Sequence, residues 1–515
     1  MDSIDDLLQR AFQLSQFRPH QREVIQDVVE GNDVVCVMPT GAGKSLCFQL
    51  PALMLQGLTV VVSPLISLMA DQVKQLRQLG VPVLFMNSSQ IQEEQREVFS
   101  ALKQGFAGLL YVAPERFAAP SFQRILPELR TRLFVVDEAH CLSFWGHDFR
   151  PEYMRLAEVR EKLGSPVTMA LTATATPQVR DDIVKMLKLR SPKMHVTGFD
   201  RPNLTYACRR IDTEAGKDAA LLHGLSKQAG SGIVYCSTRR LVEQLAALFA
   251  ERFPTRTVRA YHAGMDAEAR RQSQEDFMAN AGAVVVATNA FGMGINKADI
   301  RFVVHYNIPA SLEAYYQEAG RAGRDGRSAQ CILYCSPRDR FTQEFFIDKI
   351  GENNSELSPG QIATLQSYAR QKLDQVFNYA YRSRCRRRAI LEYFGDHTAV
   401  TQCVCDVCRG DVRARPATVA VSSPRFAKAK PKLASASDEH LDPAGELRFE
   451  RLRKLRAELA AEKKWPAFCI AHDSVLREVA RVAPKSLDAL AAIRGIGTDK
   501  LEKFGAVFLK AVKET

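Results

Sequence analysis

The sequence lacks an apolar run long enough to cross a bilayer. Its longest strongly apolar stretch, residues 60–70, has about half of the roughly 20 residues that a membrane-spanning helix needs, and Ser63, Pro64 and Ser67 interrupt it. The first six residues are acidic rather than basic, and they lack the apolar segment of a secretory signal. These absences argue against a membrane-spanning or exported protein and predict a cytoplasmic one.

Size and charge set the next constraints. At 515 residues the chain is long enough for about three domains, and 46% hydrophobic and 25% charged residues are ordinary for a globular protein. The formal net charge of +12 favours a polyanionic partner. The excess is concentrated in residues 412–437, which include no acidic residue, and in an arginine cluster at 382–388. Both clusters predict contact with nucleic acid, the alternative for each being an ordinary solvated surface.

Short apolar runs alternate with helical patterns over the first two thirds of the chain. This alternation is typical of α/β folds with doubly wound parallel sheets. It occurs twice and predicts one lobe at 1–205 and a second at 206–345. The predicted strands are 33–38, 59–63, 108–112, 133–136, 167–172, 232–236, 257–262, 283–287 and 301–305. Because only the first lobe contains a glycine-rich phosphate loop, we expect a nucleotide site in the cleft between the lobes.

The last third of the chain has helical patterns. Residues 346–410 predict a helical module that ends in a group of cysteines, and residues 411–443, rich in Ala, Pro, Ser and Lys, predict a flexible basic linker. Leucines at near-helical spacing predict a small all-α domain at 444–515, closed by a glycine turn at 493–500. This domain is either a nucleic-acid accessory or an inert packing module.

The most informative motif is an apolar run that breaks into a glycine-rich turn. Gly41 and Gly43 let successive backbone amides face an anion, and a helix predicted from about Lys44 adds its dipole. In such a turn the lysine neutralises the β- and γ-phosphates of ATP and the serine hydroxyl binds Mg²⁺. Met38 stands where the strict motif has glycine. The candidate nucleotide-binding residues of the turn are Thr40, Gly41, Ala42, Gly43, Lys44 and Ser45.

Two carboxylates, Asp137 and Glu138, directly follow another apolar run. Asp137 is placed to reach a Mg²⁺-bound water, with Ser45 as the second predicted Mg²⁺ ligand, and Glu138 to polarise the attacking water. We expect His140 to link this site to neighbouring loops rather than to accept a proton. Together with the phosphate loop, the two carboxylates predict an ATP-driven motor.

The second lobe contains two arginines, Arg321 and Arg324, within a Gly-Arg-Ala-Gly-Arg sequence. Arginines three residues apart at a helix end share a face and can reach across a cleft to a γ-phosphate. An arginine finger of this kind contributes about 10³–10⁵ in rate. We predict Arg324 as the finger and Arg321 as its neighbour; the alternative is a solvated basic turn.

In this order the motifs resemble those of superfamily 2 helicases, and specifically those of RecQ-type DNA helicases. The resemblance covers about residues 15–410. The matching segments are residues 17–21, the Asp-Glu-Ala-His box at 137–140, the aromatic segment 143–153, and residues 171–176, 261–265, 288–294 and 317–326. The resemblance implies two RecA-like lobes, a zinc-binding module and, at the end of the chain, a domain similar to the helicase-and-RNase-D C-terminal (HRDC) domain.

The resemblance also implies roles for individual residues. Gln21 would read the adenine edge with Arg18 beside it, and Gln317 would line the same nucleotide site. Aromatic side chains would stack on bases, at about 1–3 kcal/mol per base, and report DNA occupancy to Asp137 and Glu138. The implied DNA contacts are Pro64, Phe144, Trp145, His147, Phe149, Arg150 and Thr288.

Four of the twelve cysteines, Cys385, Cys403, Cys405 and Cys408, lie within one short segment. Four thiolates suit tetrahedral Zn²⁺, and a reducing compartment disfavours disulfides. The family separates its last three ligands by two residues, whereas Val404 alone separates Cys403 from Cys405. The sequence therefore leaves open a four-cysteine zinc site, a site in which His397 replaces one thiolate, and unligated thiols.

The family resemblance implies an ATP-dependent helicase that moves 3′ to 5′ on single-stranded and tailed duplex DNA, in repair and recombination. Single-strand-binding or recombination proteins are candidate partners, and the oligomeric state is open. Many RecQ proteins have a winged-helix domain where this chain has its basic linker, so another wedge must open the duplex or opening is weak. The alternatives are a translocase without unwinding, an RNA helicase, and an annealing protein with a vestigial ATPase.

Overall fold

The computed structural model describes residues 3–39, 41–146, 148–292, 297–352, 357–411, 442–463, 473–484, 486–491, 493 and 498–513. The chain divides into two compact units, Met1–Thr418 and Val419–Thr515. The first unit contains two parallel sheets, each with helices around it, and a helical module. The described part of the second unit contains four helices. The predicted α/β class with two sheet-containing lobes is confirmed.

The first lobe is built on a seven-stranded parallel sheet in the order β3-β4-β2-β5-β6-β1-β7. Its strands are β1 Val34–Val37, β2 Leu58–Val62, β3 Val83–Met86, β4 Gly108–Val112, β5 Thr131–Val136, β6 Val167–Thr172 and β7 Lys193–Val196. Side chains on both faces of the sheet are buried, which explains why the central strands are continuous apolar runs. The order places β6 between β1 and β5, so the phosphate loop and the carboxylate pair follow strands that flank β6.

Helices cover the two faces of this sheet. The α-helices are Ile4–Phe12, Gln21–Val29, Leu46–Met54, Ile66–Gln78, Gln92–Lys103, Pro120–Ile125, Leu156–Lys162 and Pro177–Met186. Short 3₁₀ helices are Pro114–Ala118, Leu126–Glu128, Ala139–Leu142 and Pro151–Arg155.

The second lobe has a six-stranded parallel sheet in the order β10-β11-β9-β12-β13-β8. Its strands are β8 Leu204–Arg210, β9 Ser231–Tyr235, β10 Val258–Tyr261, β11 Val284–Ala287, β12 Ile300–His305 and β13 Ala329–Cys335. Its helices are Glu214–Ser226, Arg239–Arg252, Ala267–Ala279, Leu312–Ala319 and Arg338–Asp348. Because β8 pairs with β13 from Leu204 onward, the predicted division at 205/206 cuts through a strand of the second sheet.

The helical module consists of Pro359–Tyr381 and Arg386–Tyr393 followed by a cysteine-containing turn. Asp406 of that turn accepts a hydrogen bond from the Cys208 amide of β8 at 2.8 Å and forms a buried ion pair with Arg386 at 3.0 Å. Arg387 forms an ion pair with Asp200, which belongs to the chain segment that connects β7 to β8. The interpretation of the whole 382–388 cluster as a nucleic-acid contact is therefore wrong for Arg386 and Arg387, whose charges hold the module on the lobes.

The second unit contains the helices Pro443–Lys463, Asp473–Val482, Leu487–Ala491 and Thr498–Lys513. A separate apolar core joins them, with Phe449, Leu452, Leu476 and Phe508 among its most buried side chains. The small all-α domain is thus present, while the basic linker and most of the predicted glycine turn at 493–500 lie outside the described residues. Across the described residues, the helices are too short or too polar to span a bilayer.

Candidate active site, zinc centre and nucleic-acid surface

The phosphate loop connects β1 to the helix Leu46–Met54, with Ser45 at the helix N-cap. Gly41 and Gly43 have φ values of 89° and 83°, in the left-handed region that favours glycine. The Lys44 ammonium donates hydrogen bonds to the carbonyl oxygens of Met38 at 3.1 Å and Pro39 at 3.4 Å. This geometry places a positive charge and a helix N-terminus at one loop, as phosphate binding requires. Thr40 lies outside the described residues.

Gln21 is buried against the phosphate loop. Its side-chain oxygen accepts from the Arg18 amide at 2.8 Å, and its amide nitrogen donates to the carbonyls of Ala42 at 3.1 Å and Gly43 at 3.0 Å. A Cβ added to Gly43 would lie 2.5 Å from this nitrogen. The Arg18 guanidinium donates to the Gly41 carbonyl. The two residues predicted to read adenine therefore also set the shape of the phosphate loop.

Asp137 and Glu138 lie at the carboxyl end of β5. Burial, followed by the neighbouring Glu138 charge, raises the pKa of Asp137 to about 7, and Lys44 acts in the opposite direction. Burial also acts to raise the pKa of Glu138, but the hydrogen bond and charge of His140, with the charges of Lys44 and Arg321, outweigh it and lower that pKa. Two half-buried carboxylates on adjacent residues carry negative charge that a divalent cation would neutralise.

His140 links the carboxylates to the second lobe through a series of hydrogen bonds. Its Nδ1 lies 3.2 Å from a Glu138 carboxylate oxygen and 2.9 Å from the Thr172 hydroxyl at the end of β6. The Thr174 amide donates to that hydroxyl at 3.2 Å. Gln317 of the second lobe donates to the Thr174 hydroxyl at 3.0 Å. His140 thus contacts both the carboxylate pair and the end of β6, while its predicted role as a link rather than a proton acceptor stays a prediction.

Both predicted arginines face the first lobe from the turn after helix Leu312–Ala319. Arg321 is buried and donates to the Gly292 carbonyl. The Arg324 side chain packs over the phosphate loop, since a Cβ added to Gly41 would lie 3.6 Å from Arg324 Cδ. Burial, then the charges of Arg321 and Arg201, lowers the pKa of Arg324 to about 10. The candidate nucleotide site thus has residues of both lobes close to the phosphate loop.

Arg201 and Asn203, in the chain segment that connects β7 to β8, hold the turn that contains Arg321 and Arg324. The sequence did not predict this role for them. Arg201 donates to the carbonyls of Gly320 at 3.1 Å and Ala322 at 2.9 Å, and Asn203 donates to the Gly323 carbonyl at 2.8 Å. The available signal was an Arg-Pro-Asn sequence directly before a strand, where polar side chains often bind loop carbonyls.

The aromatic segment, described at residues 143–146 and 148–150, has no regular secondary structure, and Trp145 packs against the core from it. Phe144 stacks on Phe149 with ring centroids 4.4 Å apart. Arg150 donates to the Pro64 carbonyl at 3.0 Å and forms an ion pair with Asp148 at 3.1 Å. Four of the predicted DNA-contacting residues therefore lie together at the carboxyl edge of the first sheet. His147 lies outside the described residues.

Thr288 lies on the second lobe, after β11. It lines a cavity of about 620 Å³ at the carboxyl edge of β11, β9 and β12, together with Ser237, Thr238, Arg239 and Asn289. Hydroxyl, amide and guanidinium groups at the N-terminus of helix Arg239–Arg252 offer hydrogen-bond donors to an anion such as a phosphate.

The four clustered cysteines converge. Their sulfur atoms all lie within 4.8 Å of one another, and His397 is not part of this group in the described residues. Tetrahedral Zn²⁺ with Zn–S distances of about 2.3 Å needs sulfur atoms about 3.8 Å apart, so the four thiolates fit the ion. Gln402 has a left-handed backbone conformation, with φ 50°, directly before Cys403. The chain therefore changes direction just before Cys403 and Cys405, the two cysteines separated by one residue. Zinc here would join the start of helix Arg386–Tyr393 to the turn that contacts β8.

Comparison with known families matches every part of this architecture. The models described as DEAD/DEAH box helicase, Helicase conserved C-terminal domain, RecQ zinc-binding and HRDC domain match residues 18–183, 216–326, 337–409 and 446–512.

Individual proteins give the same result. The ATP-dependent DNA helicase RecQ of Bacillus subtilis is 36% identical over 596 residues, covering 98% of either chain. That of Pasteurella multocida is 41% identical over 403 residues, covering 78% of this chain and 62% of that protein. A solved structure of Mss116p bound to single-stranded RNA and AMP-PNP shares the fold, with a TM-score of 0.56 and 15% identity over 77% of this chain and 88% of that one. The correspondence with the Bacillus protein shows that the chain belongs to the RecQ family of ATP-dependent DNA helicases.

Proposed function

We propose that this RecQ-family helicase couples ATP hydrolysis to 3′-to-5′ movement on single-stranded DNA and to duplex unwinding, in DNA repair and recombination. The contact between Arg324 of the second lobe and Gly41 of the first carries the proposal. A site shared by two lobes ties their separation to the state of the nucleotide, so each hydrolysis cycle can move one lobe relative to the other. The direction of movement rests on family membership.

Each side chain has a defined task in this proposal. Lys44 neutralises the β- and γ-phosphates, and Glu138, kept ionised by His140, orients the attacking water. Arg324 and Arg321 stabilise the charge that develops on the transferred phosphoryl group. Gln21 and Arg18 position the phosphate loop and the base, and Gln317 connects the second lobe to the Thr174 loop.

The oxygen ligands available at the site suit Mg²⁺. Ser45 supplies a hydroxyl and Asp137 a carboxylate, the hard donors that this ion prefers. Burial, and after it the neighbouring Glu138 charge, raises the pKa of Asp137, and a bound cation would oppose both effects. When bound, Mg²⁺ would neutralise phosphate charge, and Ser45 and Asp137 would hold it.

The nucleic-acid path would cross both sheets at their carboxyl edges. On the first lobe it would contact Pro64 with Arg150 and the aromatic loop, including His147; on the second it would contact Thr288. These segments lie at the same sheet edges as the nucleotide site, so a change in the separation of the lobes also changes the distance between DNA contacts. That link is the physical basis for translocation.

The test is ATP hydrolysis and strand separation measured together on 3′-tailed and 5′-tailed DNA duplexes, with RNA counterparts. We expect both tailed DNA duplexes to stimulate hydrolysis, and unwinding to occur only from the 3′ DNA tail. Unwinding from the 5′ tail, or equal stimulation by RNA, would contradict the proposal. Glu138→Gln serves as the control, because it should bind the tailed DNA without turning over ATP.

A second candidate, a single-stranded DNA translocase with weak unwinding, is favoured by one observation. The alignment with the Bacillus subtilis protein spans 596 residues, more than the 515 of this chain, so that relative contains residues without a counterpart here. We propose that the missing residues are the winged-helix domain. ATP hydrolysis on the 3′-tailed DNA without strand separation would support the translocase.

A further inference from the structure

The aromatic loop, residues 143–146 and 148–150, has its rings already stacked within the protein. Phe144 and Phe149 stack on each other, and Trp145 stacks on Tyr368 with centroids 3.9 Å apart and planes inclined by 26°. Tyr368 belongs to Pro359–Tyr381, the long helix of the zinc module. A nucleobase that stacks on this face of Trp145 must therefore displace Tyr368.

The same helix also holds the backbone of the loop. Lys372 is buried, and its ammonium donates to the Gly146 carbonyl, next to Trp145. The Glu313 carboxylate lies 3.9 Å from this ammonium. A buried ammonium is stable only while such partners surround it, so moving Gly146 away has a substantial energetic cost.

The two contacts come from one face of one helix. Tyr368 and Lys372 are four residues apart, the spacing at which side chains lie above one another. They touch adjacent loop residues, one through its ring and the other through its carbonyl. Glu313 belongs to helix Leu312–Ala319, which also includes Gln317, the residue bonded to Thr174 of the first lobe. The aromatic loop, the zinc module and the second lobe thus meet at Lys372.

We propose that Tyr368 and Lys372 form a latch that holds the aromatic loop on the zinc module until a base of single-stranded DNA replaces Tyr368 on Trp145. This inference rests on the proposed DNA contact of the aromatic loop. Tyr368 and Lys372 are positioning residues that act through Trp145 and Gly146. The loop is joined to the carboxylate segment, since the Arg150 amide donates to the Cys141 carbonyl at 3.0 Å. Opening the latch therefore links DNA occupancy to Asp137 and Glu138.

The sequence provides a direct reporter for this latch. It contains two tryptophans, Trp145 and Trp465. In the full chain with Trp465→Phe, all tryptophan fluorescence comes from Trp145. Two quantities are measured: quenching of that fluorescence by acrylamide without DNA, and the concentration of a single-stranded dT oligomer that gives half-maximal ATP hydrolysis. Both are measured for Tyr368→Ala, for Tyr368→Phe, and for Gln371→Ala, an exposed position on the same helix.

We expect Tyr368→Ala to increase acrylamide quenching and to lower the half-maximal oligomer concentration about two- to tenfold. This factor corresponds to the free energy of one aromatic stacking interaction, which the base no longer has to displace. Tyr368→Phe, which keeps the ring, and Gln371→Ala should match the parent. Unchanged values for Tyr368→Ala would overturn the proposal, as would a higher half-maximal concentration, which would make Tyr368 a DNA contact instead of a competitor.

One further variant separates this inference from the proposed function beneath it. Trp145→Ala should lose stimulation by the dT oligomer. If Trp145→Ala is stimulated normally, the aromatic loop is not the DNA sensor and the proposed function fails at that point. If Trp145→Ala loses stimulation while Tyr368→Ala behaves like the parent, only the latch is wrong.

Discussion

At the scale of single residues, Arg324 connects the two lobes at the candidate nucleotide site. It is the side chain that reaches from the second lobe to Gly41 of the phosphate loop. Burial with Arg321 and Arg201 nearby lowers its pKa to about 10, which still leaves it protonated at neutral pH. A charged guanidinium held in a buried site stabilises the transition state strongly because little water screens it.

Replacing this arginine should separate binding from chemistry. Arg324→Ala should lower DNA-stimulated ATP turnover by about 10³ or more, because an arginine finger acts mainly in the transition state. The affinity for a non-hydrolysable ATP analogue should change far less. Steady-state hydrolysis and nucleotide titration measure the two effects, and Arg327→Ala, an exposed arginine of the same turn, is the control. Equal losses in affinity and turnover would contradict the assignment.

Lys44 gives a second prediction at this scale. Lys44→Ala should abolish ATP turnover, because the phosphate charge is left without its closest cation, while binding of single-stranded DNA stays nearly unchanged. Fluorescence anisotropy with a labelled dT oligomer, measured beside ATP hydrolysis, checks both statements. A matching loss of DNA binding would show that Lys44 has a different role.

At the scale of elements, the strand order brings distant segments together. β6 lies between β1 and β5, so its last residue, Thr172, and the loop after it, with Thr174, lie between the phosphate loop and the carboxylates. Gln317, from a helix of the second lobe, bonds to Thr174 in this gap. In the proposed function, this bond connects nucleotide state to the position of the second lobe through a loop that neither motif contains.

Removing that bond should weaken the connection without removing a catalytic group. Thr174→Val keeps the volume but deletes the hydroxyl, at a cost of about 0.5–1.5 kcal/mol. DNA-stimulated turnover should fall about two- to tenfold. Thr174→Ser, which restores the hydroxyl, should recover most of it. Normal turnover in Thr174→Val would show that the bond does not contribute to coupling.

The cluster of four cysteines is a second feature that joins separate elements. Cys408→Ser should lose most of the bound zinc and lower the melting temperature, because the turn that contacts β8 is no longer tied to helix Arg386–Tyr393. Metal analysis and thermal denaturation are the measurements. Cys236→Ala, a buried cysteine of the second lobe, should keep its zinc. Full zinc content in Cys408→Ser would exclude Cys408 as a ligand.

At the scale of the whole molecule, the two units have separate cores. The core of the second unit includes residues from Phe449 to Val512 and none from the first unit among the described residues. Each unit buries its own apolar surface, which is the usual condition for independent folding. The nucleotide residues and the zinc ligands all belong to the first unit.

Truncation after Thr418 should therefore leave DNA-stimulated ATP hydrolysis close to that of the full chain. It also removes Arg425, Lys428, Lys430 and Lys432 of the basic linker. DNA affinity should fall at low salt, and the slope of log affinity against log salt should decrease by about 0.7 for every phosphate contact that is lost. A truncated chain that folds, as judged by circular dichroism, but is not stimulated by DNA would place an essential DNA contact in the second unit.

The sequence determined those features that depend on short, contiguous segments of the chain. The central strands other than β13 were predictable because burial on both faces forces continuous apolar runs, and all nine predicted strands are present with ends shifted by at most two residues. The phosphate loop, the carboxylate pair and the cysteines were predictable because each is contiguous or nearly so. Four strands were missed: β3, β7 and β8, which lie at sheet edges, and β13, which lies inside the second sheet. β7, with its partly exposed Lys193–Val196, has no such apolar run.

Only the tertiary structure decided the pairings between distant segments. The sequence marks Arg386 and Arg387 as basic, but burial beside Asp406 and Asp200 makes them structural. The position of Arg201 under the arginine turn and that of Tyr368 on Trp145 depend on how separate elements pack, which no local pattern records. The sequence therefore determined which chemical groups this helicase has, and the packing of its lobes and zinc module decided which of them meet.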